Sequence, residues 1–94
     1  QDSPAERLIA HTEALASIAE KQPGKCEAIE RDFATYFASH REELDELDDE
    51  LASARIGSAQ QQAIDEALER FARATMGCPN ARLQIVELTG NLMP

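Results

Sequence analysis

Apolar positions recur along the chain at spacings of three and four, the period of helices that bury one face. The longest such series is Cys26, Ile29, Phe33, Phe37, His40, Leu44, Leu47, Leu51 and Ala54. It predicts one long helix with a wide aromatic first half and a narrower leucine stripe in its second half. Glu42, Glu43, Asp45, Glu46, Asp48, Asp49 and Glu50 surround that stripe. Upstream, Ser3-Pro4-Ala5-Glu6 is a helix start: Ser3 caps, Pro4 loses nothing at the first helical position, and Glu6 completes a capping box. Leu8, His11, Leu15 and Ile18 follow as a seam that ends before Pro23-Gly24. Downstream of Gly57, Ser58-Ala59-Gln60-Gln61 reads as a second capping box with Gln61 at N3. Ile64, Ala67, Leu68, Phe71 and Thr75 line one face, and Gly77 and Pro79 close the segment. A short fourth segment, about Asn80 to Thr89, is apolar on more than one side through Leu83, Ile85, Val86 and Leu88. Gly90 ends it, and Leu92 and Met93 either tuck back or hang free. The pattern predicts an all-α single domain over residues 1–94, an antiparallel bundle of three main helices plus a short C-terminal helix. The second segment is its expected organising element.

The cysteines test that picture. Cys26 and Cys78 are the only two, and their spacing fits neither a CxxC nor a zinc-finger pattern, so a single disulfide is the leading reading. Segments two and three, paired antiparallel, would bring Cys78 back toward Cys26. Segment three is shorter by roughly ten residues, or about 15 Å at helical rise, while a disulfide needs Cα atoms within about 7 Å. Either segment two bends near Ser39, or it unwinds before Ser53, or the bridge joins two chains. Ser39-His40-Arg41-Glu42 has the form of another capping box, whereas the unbroken seam favours continuity. The expectation is an intramolecular bridge with some irregularity in segment two.

Composition narrows the function classes. A formal net charge of −9 over 94 residues opposes nucleic acid, whose phosphates demand Lys and Arg, and an anionic membrane surface. It suits a basic partner, or serves only solubility. No apolar run approaches the roughly 20 residues of a membrane span. The start at Gln1, as in a mature or trimmed protein, and the cysteine pair together point to a periplasmic or extracellular setting, with lipoprotein anchoring upstream of Gln1 as a variant.

Candidate chemistry is sparse. His11 and His40 lie on apolar seams and could face each other across a bundle to hold haem or a transition metal, with Glu43 as a further ligand. Two imidazoles are few for a metal site, and each is more simply a half-buried polar residue with a backbone or carboxylate partner. Carboxylate pairs on the acidic run are better read as a solvated face than as a calcium site. Nucleophile and phosphate-loop motifs are lacking, which argues against an enzyme.

The series Ile18, Cys26, Ile29, Phe33, Tyr36, Phe37, His40, Glu43, Leu44 and Leu47 resembles short secreted helical proteins of delta-proteobacteria and myxobacteria that carry a two-cysteine pattern. The resemblance spans residues 8–78 and departs at Gly24-Lys25, where acidic residues are expected. It implies an extracytoplasmic compartment and the disulfide, and it carries no active site. The expectation is therefore a non-enzymatic interaction or assembly module that needs no cofactor. Its partner would be another protein or a second copy, met through Leu44, Leu47, Leu51, Asp45, Asp48 and Asp49. The alternatives are a haem or metal bundle and a periplasmic stress chaperone.

Overall fold

The computed structural model describes residues 3–89. The expected ends at Gly90, Leu92 and Met93 lie outside them. Helix α1 spans Pro4–Glu20, α2 Cys26–Ser39, α3 Arg41–Ser53, α4 Ser58–Ala74, α5 Pro79–Gln84 and α6 Val86–Thr89. The three rods expected from the sequence are present, with the middle one in two pieces, α2 and α3.

Local chemistry explains most boundaries. The Ser3 hydroxyl accepts the Glu6 N–H at 3.2 Å and Pro4 opens α1. That helix ends at a turn through Gly24, whose φ of +79° is one that residues with a Cβ rarely adopt. The cap of α4 falls one residue earlier than the sequence suggests. Gly57, not Ser58, is the N-cap, and its N–H donates to Gln60 Oε1 at 3.3 Å. Gln61, the expected N3 residue, instead donates to Asp65 Oδ1 one turn on, at 3.0 Å. Thr75 closes α4 with its hydroxyl on the Phe71 carbonyl at 2.9 Å, and Gly77 turns the chain at φ +84°. Pro79 then begins α5.

The organising helix is α1 rather than the middle rod. It has the most extensive contact of any pair, with α4, and also packs on α2 and α3. Its buried face alternates Leu8 and Leu15 with Ala5, Ala16 and Ala19, so helices can approach it closely on more than one side. Direction follows from the cross-links. Gln60 reaches Ser3 and Arg70 reaches Ser17, so α4 runs parallel to α1. Gln22 bonds Asp32, His11 bonds Tyr36, and Arg7 pairs with Glu50, so α2 and α3 run back against α1. Up, down, up places the start of α2 and the end of α4 at the same pole. There Cys26 and Cys78 form the disulfide, with Cα atoms 5.3 Å apart. Phe33 stacks on Phe71 with centroids 5.6 Å apart beneath it.

Continuity of the middle rod is therefore corrected. A straight helix from residue 26 to 53 would measure about 40 Å, more than the 36 Å long axis of the molecule. The rod breaks at His40 (φ −114°, ψ 17°). The break is not the capping box suggested by Ser39-His40-Arg41-Glu42: Ser39 ends α2, and His40 caps α3 without a side-chain hydrogen bond. The last segment likewise divides at Ile85, with Ala81, Ile85 and Leu88 inward and Leu83 and Val86 outward.

Candidate functional site

At the break in the middle rod a buried histidine meets partly buried and exposed polar side chains. His11 sits mid-way along α1 and is only 6 % exposed. Its Nδ1 lies 2.6 Å from the Tyr36 hydroxyl and its Nε2 lies 2.9 Å from Glu43 Oε1. A carboxylate only accepts, so Nε2 carries a proton, and in the neutral imidazole Nδ1 accepts from the Tyr36 hydroxyl. His40, at the junction, donates Nδ1–H to the Tyr36 carbonyl at 2.8 Å. Its ring stacks on Tyr36 at a centroid distance of 4.1 Å and stands 5.6 Å from the His11 ring, edge-on.

Each member is placed by a different element. His11 holds its position in the Leu8–Leu15 seam of α1, Tyr36 comes from the last turn of α2, and Glu43 from the first turn of α3. The break aims Tyr36 and Glu43 at the same imidazole from two sides. Burial first, and the Glu43 carboxylate second, push the Tyr36 phenol above its ordinary value of 10.0. Tyr36 is thus a hydrogen-bond donor at neutral pH and a poor nucleophile, although the order hydroxyl, imidazole, carboxylate is that of a catalytic relay.

The structure brings together His11, His40 and Glu43, the three residues named for a metal. Both nitrogens of His11 are already engaged. His40 Nε2 is the one imidazole nitrogen of the pair without a protein partner among the described residues. Among those residues no group of three or more His, Cys, Asp or Glu side chains is arranged to hold a metal ion. Tyr36, the residue that joins both histidines, was legible in the sequence only as part of an apolar face.

The expected interaction face is corrected. Leu47 and Leu51, at 0 % and 5 % exposure, belong to the core, because the break lets α3 fold down onto α1. Leu44 is half-buried, and Asp45, Asp48 and Asp49 face solvent. Leu44, Asp45 and Asp48, with Phe37 and Arg41, line an open depression of about 260 Å³ in the elbow. Among the described residues the large apolar side chains that do face solvent are elsewhere: Met76, Leu83 and Val86, exposed by 73 %, 66 % and 48 %. All three lie within eight residues of Cys78, on the turn before it and on α5 and α6.

A second polar tie, also unannounced by the sequence, joins α4 to α1. Arg70 grips both oxygens of Glu20, at 2.9 and 2.7 Å, and the Ser17 hydroxyl at 2.9 Å. The hydrogen bond from Arg70, helped by its charge, holds the Glu20 carboxyl below its ordinary value.

No family model, no curated protein and no solved structure matches the chain.

Proposed function

We propose that the chain is a non-enzymatic extracytoplasmic module that docks on a protein partner through its disulfide-bearing pole. The observation that carries this is the exposure of Met76, Leu83 and Val86, all within eight residues of Cys78, while Leu47 and Leu51 of α3 are consumed by the core. Exposed large apolar side chains that form a contiguous patch mark contact surfaces. Arg82 flanks Leu83, and Lys25 and Arg31 lie on the first turns of α2 near the bridge, all exposed. A partner presenting apolar side chains ringed by carboxylates complements this end. The disulfide supports an oxidising compartment, and no helix of the described residues is long and apolar enough to cross a membrane.

The test compares wild type with a Leu83→Asp, Val86→Asp double variant. Both positions are exposed, so the variant stays folded by circular dichroism. Sedimentation and cross-linking in the native compartment are expected to show a complex, homotypic or with a second protein, that the variant loses. A complex that persists in the folded variant, or a wild type that is monomeric and uncross-linked, overturns the reading.

The haem or metal alternative draws less support, since a metal at His11 would have to displace its hydrogen bond to Tyr36 or to Glu43, and His40 Nε2 is the other imidazole nitrogen it could use. The stress-chaperone alternative gains one observation, the buried imidazole at an inter-helix contact.

A further inference from the structure

We infer that the Cys26–Cys78 bridge is a reducible latch. A dithiol reductant that opens it frees α5 and α6 to swing away from α2 about Gly77, while α1 to α4 stay folded. The latch does not depend on the docking reading, since no partner enters it.

The two sulfurs are unequally reachable. Cys78 is 1 % exposed, at the N-cap of α5. Cys26, the first residue of α2, is half-buried and lines a shallow open depression with Lys25, Glu27, Ala28 and Arg31. Thiol–disulfide exchange requires a thiolate to approach one sulfur of the bridge, so Cys26 takes the attack. A bond forms between the first sulfur of the reductant and Cys26 Sγ, the bridge breaks, and Cys78 leaves as a thiolate that takes a proton. The second thiol of the reductant then attacks the reductant sulfur of this mixed disulfide, and Cys26 leaves in turn. Its departure is favoured by place: Lys25 precedes it, and the first-turn N–H groups of α2, which no side chain caps, carry partial positive charge. Two electrons and two protons pass from the dithiol to the cysteines, and the dithiol becomes a disulfide.

The bridge holds down a segment that is weakly formed without it. Helices α5 and α6 are six and four residues long, against the roughly 12–15 residues at which an isolated helix is marginal. They keep their form by lying on the body, with α5 against α2. Ala81, Ile85 and Leu88 turn inward, and Gln84 Nε2 donates to the Glu30 carbonyl at 3.1 Å. The same Gln84 side chain carries a defect: its Oε1 is buried and accepts no hydrogen bond among the described residues. Opening returns that oxygen to water, which offsets part of the apolar burial lost. A hinge is in place at Gly77, where φ is +84° and the space beside the Cα is open for 4 Å.

The remaining core does not run through the bridge. Helix α1 packs extensively on α4, Phe33 of α2 stacks on Phe71 of α4, and Arg70 ties α4 to Ser17 and Glu20 of α1. Reduction therefore loosens the segment after Gly77 first. Leu83 and Val86 ride on that segment, so the same event moves the apolar side chains exposed there.

Dithiothreitol serves as the dithiol, iodoacetamide counts the opened cysteines, and amide hydrogen exchange before and after reduction locates the change. Expected is reduction of the folded protein without urea, with a loss of protection over residues 79–89 at least about tenfold larger than over α4. Re-oxidation by a small-molecule disulfide is expected to restore protection. The Cys26→Ser, Cys78→Ser double variant should show the same local loss with no reductant. A bridge that opens only once urea has unfolded the chain, an even loss over α1, α4 and α5, or unchanged protection of residues 79–89 in the reduced protein overturns the proposal. Should the double variant fail to fold, the reduced wild type decides alone.

Discussion

At Tyr36 three separate demands meet on one side chain: its hydroxyl serves His11, its carbonyl serves His40, and its ring supports the His40 imidazole. The phenol stands above 10.0 in the folded protein. A group whose pKa is raised by folding stabilises the native state below its unfolded pKa, and that contribution is lost as pH rises through the folded value. Stability should therefore decline above pH 10, beyond any general alkaline effect. Tyr36→Phe should remove this component. It should also cost roughly 1–3 kcal/mol at neutral pH, because the buried His11 Nδ1 loses its partner. Urea titrations of both proteins at pH 7 and in alkali check this; equal alkaline slopes would count against it. At this scale the sequence was only partly legible. His11 and His40 announced themselves as polar residues on apolar seams with a carboxylate or backbone partner, and they have such partners. Glu43, raised beside them as a candidate ligand under a reading that expected no metal, is bonded to His11. That Tyr36 joins the two histidines depends on a contact between α1 and α2, which no spacing within either helix encodes.

Among elements, the middle rod is the informative one. Its hydrophobic period runs unbroken through His40, yet the backbone does not, because packing against shorter neighbours limits the space available. Periodicity reports which face is buried and is silent on whether the axis bends. The same bend reverses the expected role of the α3 stripe. Leu47→Ala should destabilise by about 2–4 kcal/mol as a core truncation, whereas Leu83→Ala should lie within about 0.5 kcal/mol of wild type as a surface change. Thermal melts of the two variants separate the readings. A near-neutral Leu47→Ala would restore α3 as a surface stripe. The short final segment shows the complementary case. Four apolar residues on several sides could not be assigned inward or outward from their order alone; in the structure Ile85 and Leu88 turn in and Leu83 and Val86 turn out.

For the molecule as a whole, the disulfide and the charge distribution set the terms. The bridge closes a separation of 52 residues, for which chain-entropy arguments give about 4 kcal/mol of stabilisation. That is a large share of the roughly 5–15 kcal/mol available to a native domain. Reduction, or the Cys26→Ser, Cys78→Ser double variant, should lower the urea midpoint by a matching amount. An unchanged midpoint would show that the helices hold without the staple. Charge is sorted by the topology. Carboxylates crowd onto α3 at one pole, while toward the bridged pole Lys25, Arg31 and Arg82 are interspersed with Glu27 and Asp32, the latter paired with Arg31. The net −9 is therefore an uneven field, and a partner would meet different chemistry at each end.

The sequence by itself determined the helical class, the periodic apolar faces and the start of α1 at Ser3 and Pro4, and it made a Cys26–Cys78 bridge the leading reading while leaving open whether that bridge lies within one chain. These follow from local rules: period, capping chemistry, and a cysteine count that left one partner each. It also contained the conflict between a long second helix and a short third, and with it the need for an irregular middle rod. Only the tertiary structure decided that the break falls at His40, that α1 is the hub, that Leu47 and Leu51 are core, and that His11, Tyr36 and Glu43 form one hydrogen-bonded chain. Those depend on how rods of unequal length share a limited volume. Side-chain spacing along one helix fixes its own buried face, but not the direction, bend or partner of the helix that covers it.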